Sequence, residues 1–149
     1  MRILFIGDIV GSPGRQMLQQ HLPALKEKIC PNLTIVNGEN AAHGKGITKK
    51  IYHQLLGCGA DYITMGNHTF SKSELKMFIQ EADRLIRPVN LAPVELGEGV
   101  RIARVNGKWI GMVNLCGEVF MDNVVRSPFA CMSEILNRIS ADLWFVDFH

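Results

Sequence analysis

Four short polar segments of the sequence carry side chains that suit metal chemistry. Each follows an apolar run typical of a β-strand, and together they are Gly7-Asp8, Gly38-Glu39-Asn40, Gly66-Asn67-His68 and Asp147-Phe148-His149. Carboxylate and amide oxygens with imidazole, and without thiolate, form a donor set suited to Mn²⁺, Fe or Zn²⁺. Ligands of open α/β sheets bind beyond the carboxyl ends of the strands. We therefore expect the segments to converge on one metal centre, although each alone is also an ordinary turn former.

His68 is the candidate for proton transfer. Because it directly follows Asn67, it could be a metal ligand, a general acid or only a turn histidine with one hydrogen bond. The acid role suits it best beside a metal-bound phosphate. Hydrolysis of a phosphoester needs a nucleophile, which two metals make from a bridging water, and a proton for the leaving oxygen, which such a histidine supplies.

Two glycine-rich stretches invite a nucleotide-binding interpretation that their spacing does not support. A phosphate-binding loop ending at Gly44-Lys45 would need glycine at position 39 and serine or threonine at position 46, where the chain has Glu39 and Gly46. The glycines at positions 7, 11 and 14 do not match the dinucleotide-binding pattern either.

The elements that must position these residues alternate between strand and helix. Apolar runs predict strands at 3–6, 33–37 and 62–65. Helix signals predict helices from Ser12-Pro13 to about Lys28, from Ile47 to Leu56, and from the capping-box spacing of Ser71 and Glu74 to about Ala82. Three βα units in series imply a parallel sheet.

The second half of the chain follows a different pattern. Asn106-Gly107 joins two apolar runs, 100–105 and 108–115, and predicts a β-hairpin. A helix from Ser127-Pro128 to about Ile139 and a last strand at 143–146 follow. A buried strand so near the C-terminus has no helix after it to cover it. We therefore expect a fragment of a longer protein whose C-terminal part is missing.

Composition and charge describe one globular domain, 1–149, with 47% hydrophobic and 20% charged residues. The formal net charge of +2 is too balanced for the broad basic face of a non-specific nucleic-acid binder. The first apolar run, 3–6, is too short for a signal peptide or a membrane span, so we expect a cytoplasmic protein. The cysteines are predicted to be reduced core thiols, because no two form a CxxC pair; they are Cys30, Cys58, Cys116 and Cys131.

Three motifs, taken in order and spacing, resemble the YmdB family of calcineurin-like metallophosphoesterases. They are Gly7-Asp-Ile-Val-Gly11, Asn37-Gly-Glu-Asn-Ala41 and Met65-Gly-Asn-His-Thr69, and Asn114-Leu115 and Asp147-Phe148-His149 also fit. The resemblance covers essentially the whole chain. It implies a layered α/β fold with a mostly parallel sheet, helices on both faces and one β-hairpin. It also implies an active site with two metal ions, iron or manganese. This site would hydrolyse phosphodiesters, in particular 2′,3′-cyclic nucleotides.

Carried over position by position, the resemblance implies a role for six residues. Asp8, Glu39 and Asn40 would hold the first metal. Glu39 would bridge to the second metal, which Asn67 and His149 would also bind, and His68 matches the proton donor of the family.

The chain departs from the family pattern in two places. Phe70-Ser71 stands where the family has an aromatic and then an acidic residue. The two histidines of a further His-Thr-His metal-binding motif have no counterpart in the chain. By ligand count, we expect the 149-residue chain to bind metal more weakly than a full member.

The expected partner is a small-molecule phosphodiester or cyclic nucleotide; RNA association and a homo-oligomer are further hypotheses. The alternative is a non-catalytic regulatory or RNA-associated binding module on the same fold. Metal-dependent turnover that disappears in His68→Ala would separate the two. A third hypothesis, a reductase-type nucleotide binder, would be supported by tight retention of NAD or FMN without any metal.

Overall fold

The computed structural model describes residues 1–149 as seven strands, four α-helices and two 3₁₀-helices. The first half contains β1 (Ile3–Ile6), α1 (Gly11–Ile29), β2 (Leu33–Asn37), α2 (Lys49–Gly57), β3 (Tyr62–Thr64), α3 (Leu75–Phe78) and β4 (Leu85–Ile86). The second half contains β5 (Val100–Val105), β6 (Lys108–Leu115), α4 (Pro128–Arg138) and β7 (Leu143–Phe148). The 3₁₀-helices are Thr69–Ser71 and Ile79–Glu81.

The strands form two sheets, where the sequence predicted one. The first sheet is parallel, in the order β1-β2-β3-β4. The second has the order β5-β6-β7, with β5 antiparallel and β7 parallel to β6. The predicted hairpin is confirmed, because Asn106 and Gly107 both have positive φ and connect β5 to β6, as a primed two-residue turn requires. The expected α/β class with a parallel sheet is also confirmed.

The two sheets pack face to face because β2 and β6 are apolar on the sides that meet. Leu33 and Ile35 of β2 share a buried cluster with Ile110 and Met112 of β6. The opposite side of the first sheet is covered by α1, α2 and α3, which contribute residues such as Leu22 and Leu55, Leu75 and Phe78 to the largest core cluster. Helices therefore cover the outer face of each sheet, and the order of the layers is helix, sheet, sheet, helix.

Helix α4 completes the sandwich on the far side of the second sheet. Its buried residues Cys131 and Ile135 form a cluster with Val113 and Leu115 of β6. Successive side chains of a strand point to opposite faces, so β6 alternates between the two cores. No helix of the structure is both long and apolar enough to span a membrane.

The predicted helix from Ser71 to Ala82 was wrong as a continuous element. The segment is divided into a first 3₁₀-helix, the helix α3, which has only 4 residues, and a second 3₁₀-helix. The expected capping box does not form, because Glu74 Oε1 instead accepts a hydrogen bond of 3.1 Å from the backbone N–H of Lys49. The tertiary contact with the start of α2 thus replaces the local one, and the short strand β4 that follows was not predicted.

Two helix starts and two cysteines also differ from the expectation. Val10, not Ser12, precedes α1, with no side-chain cap. Helix α2 begins at Lys49, later than predicted, because Thr48 Oγ1 caps it by accepting from the N–H of Ile51 at 3.3 Å. All four cysteines are free thiols, but Cys30 is exposed and Cys58 half-buried, so only Cys116 and Cys131 are core thiols.

Candidate metal centre

Three of the predicted metal ligands meet where β2, β3 and β7 end. His149 Nε2 lies 3.2 Å from Glu39 Oε1 and 3.1 Å from Asn67 Oδ1. His149 follows β7 in the second sheet, whereas Glu39 and Asn67 follow strands of the first. The stacking of the two sheets therefore brings together residues from opposite ends of the chain.

Asp8 and Asn40 extend this cluster on the side of β1. The Asn40 amide Nδ2 donates to Asp8 Oδ1 at 2.7 Å and to Glu39 Oε1 at 3.1 Å. The backbone holds the two loops together, because the N–H of Gly11 donates to Asn40 O at 2.9 Å. All five predicted metal ligands thus belong to one connected network, in which Asp8 is exposed and Glu39 is buried.

His68 lies beside the network with its side chain free. Its backbone nitrogen is 3.4 Å from Glu39 Oε2, and its half-buried imidazole forms no hydrogen bond within the chain. The ring is thus neither tied into the fold nor part of the cluster of candidate ligands. This arrangement favours the general-acid hypothesis over a turn histidine with one hydrogen bond.

Gly66 explains how the end of β3 comes so close to the buried carboxylate. A Cβ atom at this position would overlap Glu39 Oε2 and would lie 2.8 Å from His149 Cδ2. Only a residue without a side chain fits there. Thr69 fixes the turn that follows, because its hydroxyl donates to the carbonyl oxygen of Gly66 at 2.6 Å.

Asn37 is a site residue to which the sequence analysis assigned no role. Its side chain is 4% exposed, and its Nδ2 donates to Asp147 Oδ2 at 3.1 Å and to Met65 O at 3.3 Å. Its Oδ1 accepts from the backbone N–H of Glu39 at 3.2 Å. The amide therefore connects the three strand ends that carry Glu39, Asn67 and His149. The only signal in the sequence is a polar residue that closes an apolar strand.

Asn114 forms a second polar link between the sheets. Its Nδ2 donates to Met65 O and, at 3.1 Å, to Ile86 O, while its buried Oδ1 has no partner. Both acceptors lie at the carboxyl ends of first-sheet strands, so Asn114 helps to fix the edge on which the candidate ligands stand.

The electrostatics of the cluster suit a cation. The hydrogen bond to Glu39 raises the pKa of His149, burial opposes the shift, and the charges of Glu39, Asp147 and Asp8 add to it. No lysine or arginine forms a salt bridge with Asp8, Glu39 or Asp147, although Glu39 is only 1% exposed. Buried charges in proteins are normally paired or bound to metal. The residues present therefore fit a metal ion.

The donor set depends on amides as well as on ionisable groups. No group of three or more His, Cys, Asp and Glu side chains is arranged to hold a metal ion. Glu39 and His149 are paired, so further ligands from this cluster would be Asp8 and the amide oxygens of Asn40 and Asn67. Hard oxygen ligands with one imidazole are compatible with iron and manganese.

The layered α/β arrangement is a metallophosphoesterase-like fold. The chain superposes on the crystal structure of a phosphatase from Mycoplasma pneumoniae with a TM-score of 0.92 and 39% identity, covering 99% of this chain and 54% of that one. It superposes on a hypothetical protein from Thermus thermophilus with a TM-score of 0.91 and 35% identity, covering 100% and 57%.

The sequence comparisons define the family. The YmdB-like protein family matches residues 4–149, and the chain belongs to this family. The 2′,3′-cyclic-nucleotide 2′-phosphodiesterase of Bacillus subtilis (strain 168) is 48% identical over 151 residues, which cover 100% of this chain and 57% of the relative. The chain thus spans little more than half the length of this relative, and the resemblance predicted from the three motifs is confirmed.

Proposed function

We propose that the chain carries a large part of the active site of a metal-dependent phosphodiesterase. Its substrates would be small-molecule phosphodiesters, with 2′,3′-cyclic nucleotides as the class. The observation that carries the proposal is the buried Glu39 carboxylate, which no lysine or arginine neutralises and around which Asn40, Asn67 and His149 are grouped. The name of the Bacillus subtilis relative supports the substrate class.

Asp8, Glu39, Asn40, Asn67 and His149 would hold two metal ions, iron or manganese. Bound metals would supply Lewis acidity and lower the pKa of a water molecule so that it becomes a nucleophile near neutral pH. The chain contributes the fixed positions of the ligands. Asn37 holds the backbone of Glu39, and Gly66 lets the end of β3 approach its carboxylate.

His68 would donate the proton that the leaving oxygen needs. When the bond between phosphorus and that oxygen breaks, the oxygen takes up a proton from the imidazolium ring, which becomes neutral. The ring is suited to this step because no side chain or backbone atom of the chain occupies its nitrogens. Residue 68 directly follows Asn67, and its backbone nitrogen lies 3.4 Å from Glu39 Oε2.

The alternative of a non-catalytic binding module has no specific observation in its favour. Turn capping alone does not explain a buried carboxylate that no lysine or arginine accompanies. RNA association, self-association and a cytoplasmic location stay predictions from the sequence.

Metal content and turnover together test the proposal. The purified chain is loaded with Mn²⁺ or Fe²⁺, desalted and subjected to elemental analysis, and hydrolysis of 2′,3′-cyclic AMP is then followed by chromatography. We expect bound metal and metal-dependent turnover. In His68→Ala, turnover should fall by about 10²–10⁴-fold, the range typical of a lost general acid.

Matched variants identify the cause of a loss. His68→Ala should keep its metal, whereas Asn67→Ala should lose metal with its fold intact. His21→Ala replaces an exposed histidine of α1 and should behave as wild type. Undiminished turnover in His68→Ala would overturn its role, and a chain that binds no metal at all would overturn the proposed centre.

A further inference from the structure

A cavity of about 190 Å³ opens directly beside the candidate metal centre. Of the five cavities in the structure, it is the one to which a candidate metal ligand contributes. Its lining consists of Asn67, Phe70, Ser71, Leu91, Ala92 and Asn123. Because Asn67 also contacts His149 at 3.1 Å, the cavity borders the candidate metal centre.

Three polar groups that line the cavity have no hydrogen-bond partner inside the chain: the Ser71 hydroxyl, the Asn123 side-chain amide and the amide nitrogen of Asn67. The side chains of Ser71 and Asn123 form no hydrogen bond within the chain, and Asn67 uses only its Oδ1, which contacts His149. Asn123 is exposed and has a φ of 66°, a left-handed conformation that asparagine tolerates. These amides and the hydroxyl offer both donors and acceptors to a ligand.

The far wall of the cavity is fixed by a short antiparallel ladder. Leu91 pairs with Val124 in an isolated β-bridge, and the N–H of Ala92 donates to Asn123 O at 2.9 Å. The N–H of Val125 donates to Asn90 O at 2.9 Å. The backbone of Asn123 is therefore held in place at the rim of the cavity that Asn67 also lines.

The chemistry of the lining indicates which part of a substrate it suits. No charged side chain lines the cavity, so it offers no counter-charge to a phosphate. The neutral hydrogen-bonding groups match sugar hydroxyls or the edge of a base, and the half-buried Phe70 ring supplies apolar surface. Aromatic side chains stack well on bases.

We propose that this cavity binds the nucleoside part of the substrate, with Asn123 and Ser71 as residues that determine specificity. The inference rests on the proposed phosphodiesterase function and adds to it the subsite that distinguishes a nucleotide from a simple phosphodiester. Asn67 is shared between the subsite and the metal centre, and it thereby sets the distance between nucleoside and phosphate.

The kinetic test compares a cyclic nucleotide with a diester that lacks a nucleoside. KM is measured for 2′,3′-cyclic AMP and for bis(p-nitrophenyl) phosphate in wild type, Asn123→Gly, Ser71→Ala and Asn137→Ala. Glycine keeps the positive φ of Asn123 without strain and removes only its amide. We expect Asn123→Gly to raise the KM ratio of cyclic AMP to the simple diester about tenfold, the effect of losing one or two hydrogen bonds.

A binding measurement tests the subsite without hydrolysis. Adenosine is titrated into the metal-free, ¹⁵N-labelled chain, and the side-chain amide signals of Asn67 and Asn123 are followed by NMR. We expect both signals to shift in wild type, and the Asn67 shift to need more adenosine in Asn123→Gly. Asn137 is an exposed asparagine of α4, so Asn137→Ala should change neither measurement.

The two experiments separate the subsite from the proposed function. If adenosine shifts the Asn123 signal but neither diester is hydrolysed, the subsite stands and the phosphodiesterase proposal fails. If both diesters are hydrolysed but adenosine shifts neither signal, the subsite is overturned and the phosphodiesterase stands. Equal changes of KM for the two diesters in Asn123→Gly would also overturn the subsite.

Discussion

The side-chain nitrogen of Asn37 lies 3.1 Å from a carboxylate oxygen of Asp147, and this contact joins the first sheet to the second. Both side chains are buried, and 110 positions separate them in the sequence. Asp147 is two residues before His149, and Asn37 is two residues before Glu39. The contact therefore sets how the two strand ends that carry Glu39 and His149 face each other.

Asn37→Ala should weaken both the fold and the metal centre. The substitution leaves the Asp147 carboxylate and the N–H of Glu39 without their partner, and an unsatisfied buried group costs about 1–3 kcal/mol. We expect the free energy of unfolding in urea to fall by about that amount, and metal affinity to fall with it. Asn137→Ala is the matched control. Unchanged stability and unchanged metal affinity in Asn37→Ala would show that the Asn37 contact contributes nothing.

Gly66→Ala should dismantle the cluster without changing its ligands. The new methyl group would overlap Glu39 Oε2, so Glu39 and the nearby His149 ring must move. We expect metal content to fall to background, while circular dichroism retains the wild-type secondary structure. Gly57→Ala, at the end of α2, has no atom within 4 Å of the new Cβ and serves as the control. Full metal content in Gly66→Ala would contradict the observed packing of Gly66.

The cysteines should differ widely in their reactivity. Burial, together with the carboxylates of Glu39 and Asp147, raises the pKa of Cys116 to about 12. Since the thiolate is the reactive form, Cys116 should resist iodoacetamide at about pH 8, whereas the exposed Cys30 should be alkylated. Peptide mass spectrometry measures the extent of alkylation of Cys116 and of Cys30 in native and in urea-treated protein. Alkylation of native Cys116 as fast as Cys30 would contradict the prediction.

Tyr52 should make stability fall at high pH. Its pKa is raised, mainly by burial and also by the nearby Asp83 carboxylate, although a hydrogen bond from the N–H of Arg84 opposes the shift. The folded pKa thus lies above the unfolded value of about 10. The stabilising contribution is complete below that unfolded value and is lost as pH rises through the folded one.

The test measures the free energy of unfolding in urea for wild type and for Tyr52→Phe, between about pH 8 and pH 11. The phenol donates to Asp83 and accepts from Arg84, so its loss should cost about 1 kcal/mol at the lower pH. The difference in free energy of unfolding between wild type and Tyr52→Phe should narrow as pH rises, since Tyr52→Phe has no phenol to titrate. A difference that stays constant over the whole range would refute the pKa shift.

The sequence predicted most of the elements because their signals are local. The apolar run of β2, the Asn106-Gly107 turn and the proline at the start of α4 each act within a few residues. The segment after Ser71 failed for the same reason: its capping-box spacing is a local signal, but Glu74 accepts from Lys49 instead. A distant contact decided that segment, and no pattern within the segment reports it.

The candidate site also depends partly on local sequence signals and partly on contacts between distant residues. By itself the sequence determined that Asp8, Glu39, Asn40, Asn67, His68 and His149 follow strands of an α/β fold, because the carboxyl ends of parallel strands face one way. The tertiary structure alone decided that the strands divide into two sheets, that Asn37 joins them, and that Asn123 borders the cavity beside Asn67. Alternation along a strand specifies which side chains share a face. It does not specify which sheet or loop will pack against that face, because that choice depends on contacts between residues far apart in the chain.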